Sequence, residues 1–113
     1  MKIISDKITL GDIRALAANG FGDMVKGVVD IEREVIALDA ELHADLESLL
    51  LEDGSCQGDL WGVNFYPDLS GEEFIEFDSI INIRPLQGNR SRTVEDEHVR
   101  MRILEVVARK IVP

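Results

Sequence analysis

Strict alternation of apolar and polar residues between Glu41 and Ser48 is the feature that most constrains the fold. The apolar positions are Leu42, Ala44 and Leu46, and the polar positions are Glu41, His43, Asp45 and Glu47. A period of two is typical of a half-buried strand, because successive side chains of a strand point to opposite faces. Leucines continue to Leu51 and turn residues follow at Asp53–Gly54, so the pattern predicts a strand over residues 41–51.

Two later segments carry the same signature. Residues 60–66 alternate Trp61, Val63 and Phe65 with Gly62, Asn64 and Tyr66, and Pro67 ends the strand. Residues 74–84 place four apolar side chains on one face and polar ones on the other. With a short first strand over residues 2–8, these segments predict an antiparallel meander of about four strands. Trp61 is expected in the core, where its indole N–H needs a partner.

Three segments are predicted to be helical. Thr9 and Asp12 form an N-terminal capping signal before a helix that ends near Asn19–Gly20. Apolar residues over 24–38 recur at a spacing near 3.5, which favours a second helix. Gly27 and the many β-branched residues weaken it, so a hairpin over residues 24–38 is the competing interpretation. Thr93–Asp96 then caps a terminal helix whose apolar stripe runs from Val99 to Ile111.

The predicted element order is therefore βααβββα. It describes a single α+β domain over residues 1–113, with helices packed on one face of the antiparallel sheet. A chain of 113 residues suits one such domain.

Charge is distributed very unevenly along the chain. From Glu34 to Ile83 there are thirteen Asp and Glu and no Lys or Arg, and the net charge of the chain is −10. Residues 84–92 then bring three arginines, and we call residues 84–92 the arginine loop. Phosphate contacts need many cations on one face, so the composition argues against broad nucleic-acid binding.

The remaining composition indicates an ordinary intracellular protein. No apolar run approaches the roughly 18 residues that cross a bilayer, and the first residues lack the apolar core of a signal peptide. Cys56 is the single cysteine, which excludes an internal disulfide and a cysteine metal cage. We therefore expect a cytoplasmic protein without membrane attachment and without a cofactor.

Several blocks of the sequence resemble a family of short prokaryotic proteins, the domain-of-unknown-function 5674 family. The blocks are Glu41–Asp45, Leu50–Ser55, Leu60–Asn64, Tyr66–Pro67 and Phe77–Arg92. The similarity covers nearly the whole chain, and the last block is long and specific. It departs at Asp39–Ala40, where small, glycine-like residues are expected. The resemblance implies no established activity, cofactor or catalytic residue.

The polar face of the predicted sheet is the first candidate site. It would gather His43, Asp45, Asn64, Asp78, Asn82 and Arg84. Carboxylates beside a histidine can bind a hard metal ion or transfer protons. A purely solvated face is the competing interpretation, since antiparallel sheets commonly expose one polar side to water.

The arginine loop is the second candidate site. Arg90 and Arg92 lie among amide and hydroxyl side chains just before a capped helix, an arrangement that suits a phosphate or a carboxylate. The alternative is an internal latch, in which the arginines pair with Asp45, Asp78 or Glu76 or with a second subunit.

Two classes of function follow from these candidates. We expect a non-enzymatic binding protein, forming a homo-oligomer, that recognises a small anion or a protein partner and holds no metal. The alternative is a small metal-dependent hydrolase of phosphoesters, with His43, Asp45 and Asp78 near the ion and Arg90 or Arg92 on the phosphate.

Overall fold

A five-stranded antiparallel sheet forms the centre of the protein, in a computed structural model that describes residues 1–113. The sheet order is β1-β4-β3-β5-β6, and the α+β class with an antiparallel sheet is confirmed. The strands are β1 (Lys2–Ile4), β2 (Ile8–Thr9), β3 (Val25–Asp30), β4 (Val35–Leu38), β5 (Leu60–Phe65), β6 (Ile75–Glu76) and β7 (Ile111–Val112). The helices are α1 (Leu10–Asn19), α2 (His43–Glu52) and α3 (Glu97–Lys110).

Residues 24–38 form the β3–β4 hairpin, so the predicted second helix is wrong and the competing hairpin is right. Both strands are covered on both faces, and continuous burial removes the alternation that normally marks a strand. A side chain at Gly27 would approach the Phe65 ring to 2.7 Å, so this glycine allows the strands to be covered closely. The turn is held by Asp30, whose Oδ1 accepts the backbone N–H groups of Glu32 and Arg33 at 2.9 Å each.

Residues 43–52 form helix α2, so the predicted strand over residues 41–51 is also wrong. The alternation coexists with leucines four apart, and the helix buries His43, Leu46 and Leu50. Asp39, just before this helix, adopts a φ of 75°, in the region that favours glycine. The glycine-like residues expected there therefore have a backbone reason.

The strand predicted over residues 74–84 is reduced to two residues, β6. It is followed by 3-10 turns at Ile80–Asn82 and Pro85–Gln87. The first strand is likewise split, because β1 joins the large sheet while β2 pairs in parallel with β7. The strand over residues 60–66 is confirmed as β5, and the first and terminal helices are confirmed as α1 and α3.

Helices cover both faces of the sheet, not one as predicted. Helices α1 and α3 pack on the face that carries Trp61, Val63 and Phe65. Helix α2 packs on the opposite face through Leu46 and Leu50. The polar sheet face of the prediction is therefore largely a second core. No helix is both long and apolar enough to cross a membrane.

Candidate functional site

The open edge of β5 is closed by a side chain. Strand β6 pairs only with Asn64 and Phe65, which leaves the backbone of Gly62 without a strand partner on that side. Fully buried Asn82 takes this place, since its Oδ1 accepts the Gly62 N–H at 2.8 Å and its Nδ2 donates to the Gly62 carbonyl at 3.0 Å. Nδ2 also donates to the Arg92 carbonyl at 3.0 Å. Asn82 is thus a structural residue rather than part of an open polar face.

A second buried amide holds the arginine loop in shape. Asn89 donates through Nδ2 to the carbonyls of Asn82, Ser91 and Thr93, and its Oδ1 accepts the N–H of Glu95. The Glu95 carboxylate in turn accepts the N–H groups of Arg90 and Ser91. Because these hydrogen bonds stabilise the ionised form, chiefly the one from the Ser91 hydroxyl, the pKa of Glu95 lies below its usual value.

Arg84 contacts backbone carbonyls, whereas the predicted latch paired it with carboxylates. Its guanidinium donates to Ile81 at 3.0 Å, to Gln57 at 2.9 Å and to Leu60, and it lies 4.6 Å from the centre of the Trp61 ring. Burial lowers the pKa of Arg84. The indole Nε1 of buried Trp61 has no hydrogen-bond partner, so the partner expected for it is not found. Arg84 therefore stabilises the same sheet edge as Asn82.

The latch is observed at Arg92 instead. Its Nε donates to Asp78 Oδ1 at 2.7 Å and its Nη2 to Oδ2 at 3.4 Å. This pairing with Asp78 raises the pKa of Arg92. The pair is exposed and uses one edge of the guanidinium, so Nη1 is not part of it.

A cleft of about 210 Å³ lies beside this pair, at the N-terminus of α2. We call it the His43 cleft. Its polar lining consists of Lys26, His43, Ser79 and Arg92, and the exposed side chains of Leu42 and Ile80 flank it. No side chain caps α2, and the Asp45 N–H donates to the Leu42 carbonyl at 3.2 Å, so the backbone N–H groups of His43 and Ala44 are the ones left without an acceptor at the start of the helix. Such groups favour an anion, although Asp45 in the first turn offsets part of the helix dipole.

His43 is 8% exposed, and its Nε2 lies 2.8 Å from the Val63 carbonyl. A carbonyl only accepts, so Nε2 carries the proton and the neutral ring presents Nδ1 as an acceptor. Burial is the largest cause that lowers the pKa of His43, and the Val63 hydrogen bond opposes it. Lys26 and Arg92 lower it further, while Asp78 raises it. The ring is consequently neutral at pH 7.

A polar network continues from the cleft along the end of the sheet. Asn64 donates through Nδ2 to Glu76 Oε1 at 2.8 Å and to the Asp78 carbonyl at 3.2 Å. Tyr66 donates to the same Glu76 oxygen at 3.1 Å. Burial is the main cause that raises the pKa of Tyr66, and the Glu76 carboxylate is the second. Asn64 Oδ1 is buried without a partner, so one acceptor of the network is open.

The structure gathers only some of the predicted site residues. His43, Asn64, Asp78 and Arg92 lie in or beside the His43 cleft, although the strand that was to carry His43 is a helix. Asp45 lies on the exposed side of α2, Asn82 and Arg84 seal the β5 edge, and Arg90 is exposed in the arginine loop. These eight residues therefore do not share one sheet face.

Sequence reasoning missed Lys26 and Tyr66 as site residues, and it named Glu76 only as a partner of the arginines in the latch. Lys26 lies in the segment that was predicted as the second helix, whereas β3 places it directly opposite Asn64 of β5. The alternation of β5 already put Tyr66 on the polar face, and the hairpin interpretation would have added Lys26. No group of three His, Cys, Asp or Glu side chains could hold a metal ion, so the trio of His43, Asp45 and Asp78 is not assembled.

Comparison with known protein families gives a match over nearly the whole chain. The family model "Protein of unknown function (DUF5674)" matches residues 2–110. The chain belongs to this family. The resemblance drawn from the sequence blocks is thereby confirmed, and the longest of those blocks contains Asp78, Asn82, Arg84 and Arg92. No curated protein and no solved structure matches the chain.

Proposed function

We propose that this protein is a non-enzymatic binding protein that takes a small organic anion in the His43 cleft. The observation that carries the proposal is the convergence of the cationic Lys26 and Arg92 on one cleft at the uncapped N-terminus of α2, where the neutral His43 ring is part of the lining. Lys26 and Arg92 supply positive charge within a chain whose net charge is −10. A concave site with cationic walls concentrates anions even on an acidic protein.

The flanks of the cleft suggest what kind of anion fits. Leu42 and Ile80 are exposed large apolar side chains that line the cleft together with the polar residues. A carboxylate or phosphate could lie between Lys26 and Nη1 of Arg92, with an attached apolar group against Leu42 and Ile80. In pockets that combine an apolar lining with a few polar groups, the polar groups usually fix the orientation of the ligand.

A titration followed by amide NMR tests the proposal at constant ionic strength. The probes are hexanoate, hexyl phosphate and acetate, with hexylamine as the cationic control. We expect saturable shifts at His43 and Ala44 with hexanoate or hexyl phosphate, weaker binding of acetate and none of hexylamine. The comparison of the first two probes tells a carboxylate site from a phosphate site.

Arg92→Ala should weaken binding several-fold, because it removes a charged donor from the cleft. Arg90→Ala is the matched control, since Arg90 is exposed in the same loop but does not line the cleft. Lys26→Met keeps most of the aliphatic chain and should weaken binding without disturbing the Asp78–Arg92 pair. Absence of saturable shifts, or equal losses in the Arg90 and Arg92 variants, would refute the anion site.

We also propose that the protein acts in the cytoplasm and as a homo-oligomer. Cys56 is exposed and has no second cysteine to pair with, which suits a reducing compartment. Exposed apolar residues on α3 support self-association. Cell fractionation tests the location.

A further inference from the structure

Helix α3 carries apolar residues on two sides. Its inner side packs Ile103, Val106 and Val107 into the core. Its outer side presents Met101, which is 60% exposed, and Leu104, which is 44% exposed. Ala108 follows on the same side at a spacing of four, so the three residues form a continuous exposed stripe. We call Met101, Leu104 and Ala108 the outer stripe.

An apolar groove of about 390 Å³ lies beside this stripe. Its walls include Leu69, Phe74, Leu104, Ala108 and Ile111. Leu104 and Ala108 of the outer stripe therefore form one wall of the groove, while Met101 lies closer to the helix N-terminus, outside the lining. A ridge and a groove of matching character thus adjoin on one surface.

We infer that this surface binds a second copy of the same chain, with the two α3 helices antiparallel. In a two-fold interface each patch must complement itself. A two-fold axis near Leu104 brings Met101 of each copy over the groove wall at Ala108 of the other. Methionine suits this role because its flexible side chain adapts to irregular gaps.

Charge at the two ends of α3 favours the antiparallel arrangement. The N-terminal end carries Asp96 and Glu97. The C-terminal end carries Arg109, which also pairs with Glu34 of its own chain, and Lys110, which also donates to the Ser5 carbonyl. Antiparallel pairing places the acidic end of one helix by the basic end of the other, at both ends of the interface. The helix dipoles are opposed in the same arrangement. A parallel arrangement would bring like charges together, so we assign the antiparallel one.

This interface deepens the proposed self-association and does not depend on the His43 cleft. Sedimentation velocity from low to high micromolar concentration tests it on the full chain. We expect the wild-type protein to form a dimer, and Leu104→Glu and Met101→Glu to shift it to monomer. Leu86→Glu is the matched control, because Leu86 is fully exposed in the arginine loop and should leave the dimer intact. Circular dichroism confirms that each variant folds.

A charge exchange tests the orientation of the helices. Glu97→Arg and Arg109→Glu should each weaken the dimer several-fold, and the double variant should recover part of the loss. A wild-type protein that stays monomeric throughout the concentration range would overturn the inference, as would a dimer that persists in both stripe variants. A monomer that still binds hexanoate would refute the interface alone and leave the anion cleft intact.

Discussion

Replacing Asn82 by alanine should cost a large part of the stability of the protein, because this side chain stands in for a missing strand. It makes hydrogen bonds of 2.8 and 3.0 Å to the N–H and carbonyl of Gly62 and one of 3.0 Å to the Arg92 carbonyl. The alanine would leave both Gly62 groups unpaired in a buried position. An orphaned buried polar group costs about 1–3 kcal/mol.

The expected loss follows from these groups. Two orphaned groups, with some relaxation of the loop around Arg92, give about 3–5 kcal/mol for Asn82→Ala. Small domains have a total stability of about 5–15 kcal/mol, so the variant should unfold at a much lower urea concentration. Urea denaturation followed by Trp61 fluorescence measures the change, provided that the slope of the unfolding free energy against urea concentration is the same in both proteins.

Asn82→Asp is the matched control for this argument. Its carboxylate keeps the acceptor for Gly62 but places a second acceptor toward the carbonyls of Gly62 and Arg92. That repulsion raises the pKa of the new carboxyl in the folded state, so the variant gains stability relative to wild type as pH falls and loses it as pH rises. A loss below about 1 kcal/mol for Asn82→Ala would refute the reasoning, because it would mean that water replaces the amide.

Three further predictions test other contacts. Arg84→Lys should destabilise the protein by about 1–3 kcal/mol, since an ammonium group cannot make the hydrogen bonds that the guanidinium makes to several carbonyls at once. Thermal melting measures this loss, and an unchanged melting temperature would show that lysine is sufficient. Gly62→Ala should be strongly destabilising, because its Cβ would lie 2.5 Å from Ser79 Cβ, whereas Gly58→Ala has 3.7 Å of room and should be nearly neutral in the same assay. The pKa of His43 should lie below about 6.5 in an NMR titration. The contribution of neutral His43 to stability is then present at pH 7 and is lost as pH falls through the pKa of the unfolded state and then that of the folded state. A pKa above 6.5 would contradict the burial argument.

The fold errors of the sequence prediction have a common physical cause. In β3 and β4 both faces are covered, so most positions are apolar and a spacing near 3.5 can be read from the run. In α2 the short apolar pattern fits a period of two over residues 41–48 and a period of four through Leu42, Leu46 and Leu50. Runs of this length do not distinguish helix from strand by periodicity alone. The capping signals at Thr9–Asp12 and Thr93–Asp96 are specific, and both lie at helix starts, although the N-cap of α3 is Asp96 and not Thr93.

Three residues of the predicted polar face are close together, although not every element that carries them was predicted. His43, Asn64 and Asp78 were expected on one sheet face, and they lie near one another because β5 was assigned correctly and α2 returns His43 to the Val63 carbonyl. The roles of Asn82 and Arg84 could not be predicted. Their partners include backbone groups of Gly62 and Leu60 in β5. These groups are available only because β6 is two residues long, and the length of β6 cannot be inferred from the residue types.

The short β6 also explains why one block of sequence contains both structural and candidate binding residues. Edge strands with unpaired backbone groups invite pairing with other chains, so they need protection. Asn82 covers Gly62 and Arg84 covers Leu60, which closes most of the exposed edge of β5. To reach that edge the chain must turn back on itself, and Asn89 fixes the turn. The same turn carries Arg92 back to Asp78 at the His43 cleft. The arginine loop therefore seals the sheet with Arg84 and leaves Arg92 at the cleft, so loss of stability and loss of anion binding should separate between these two arginines.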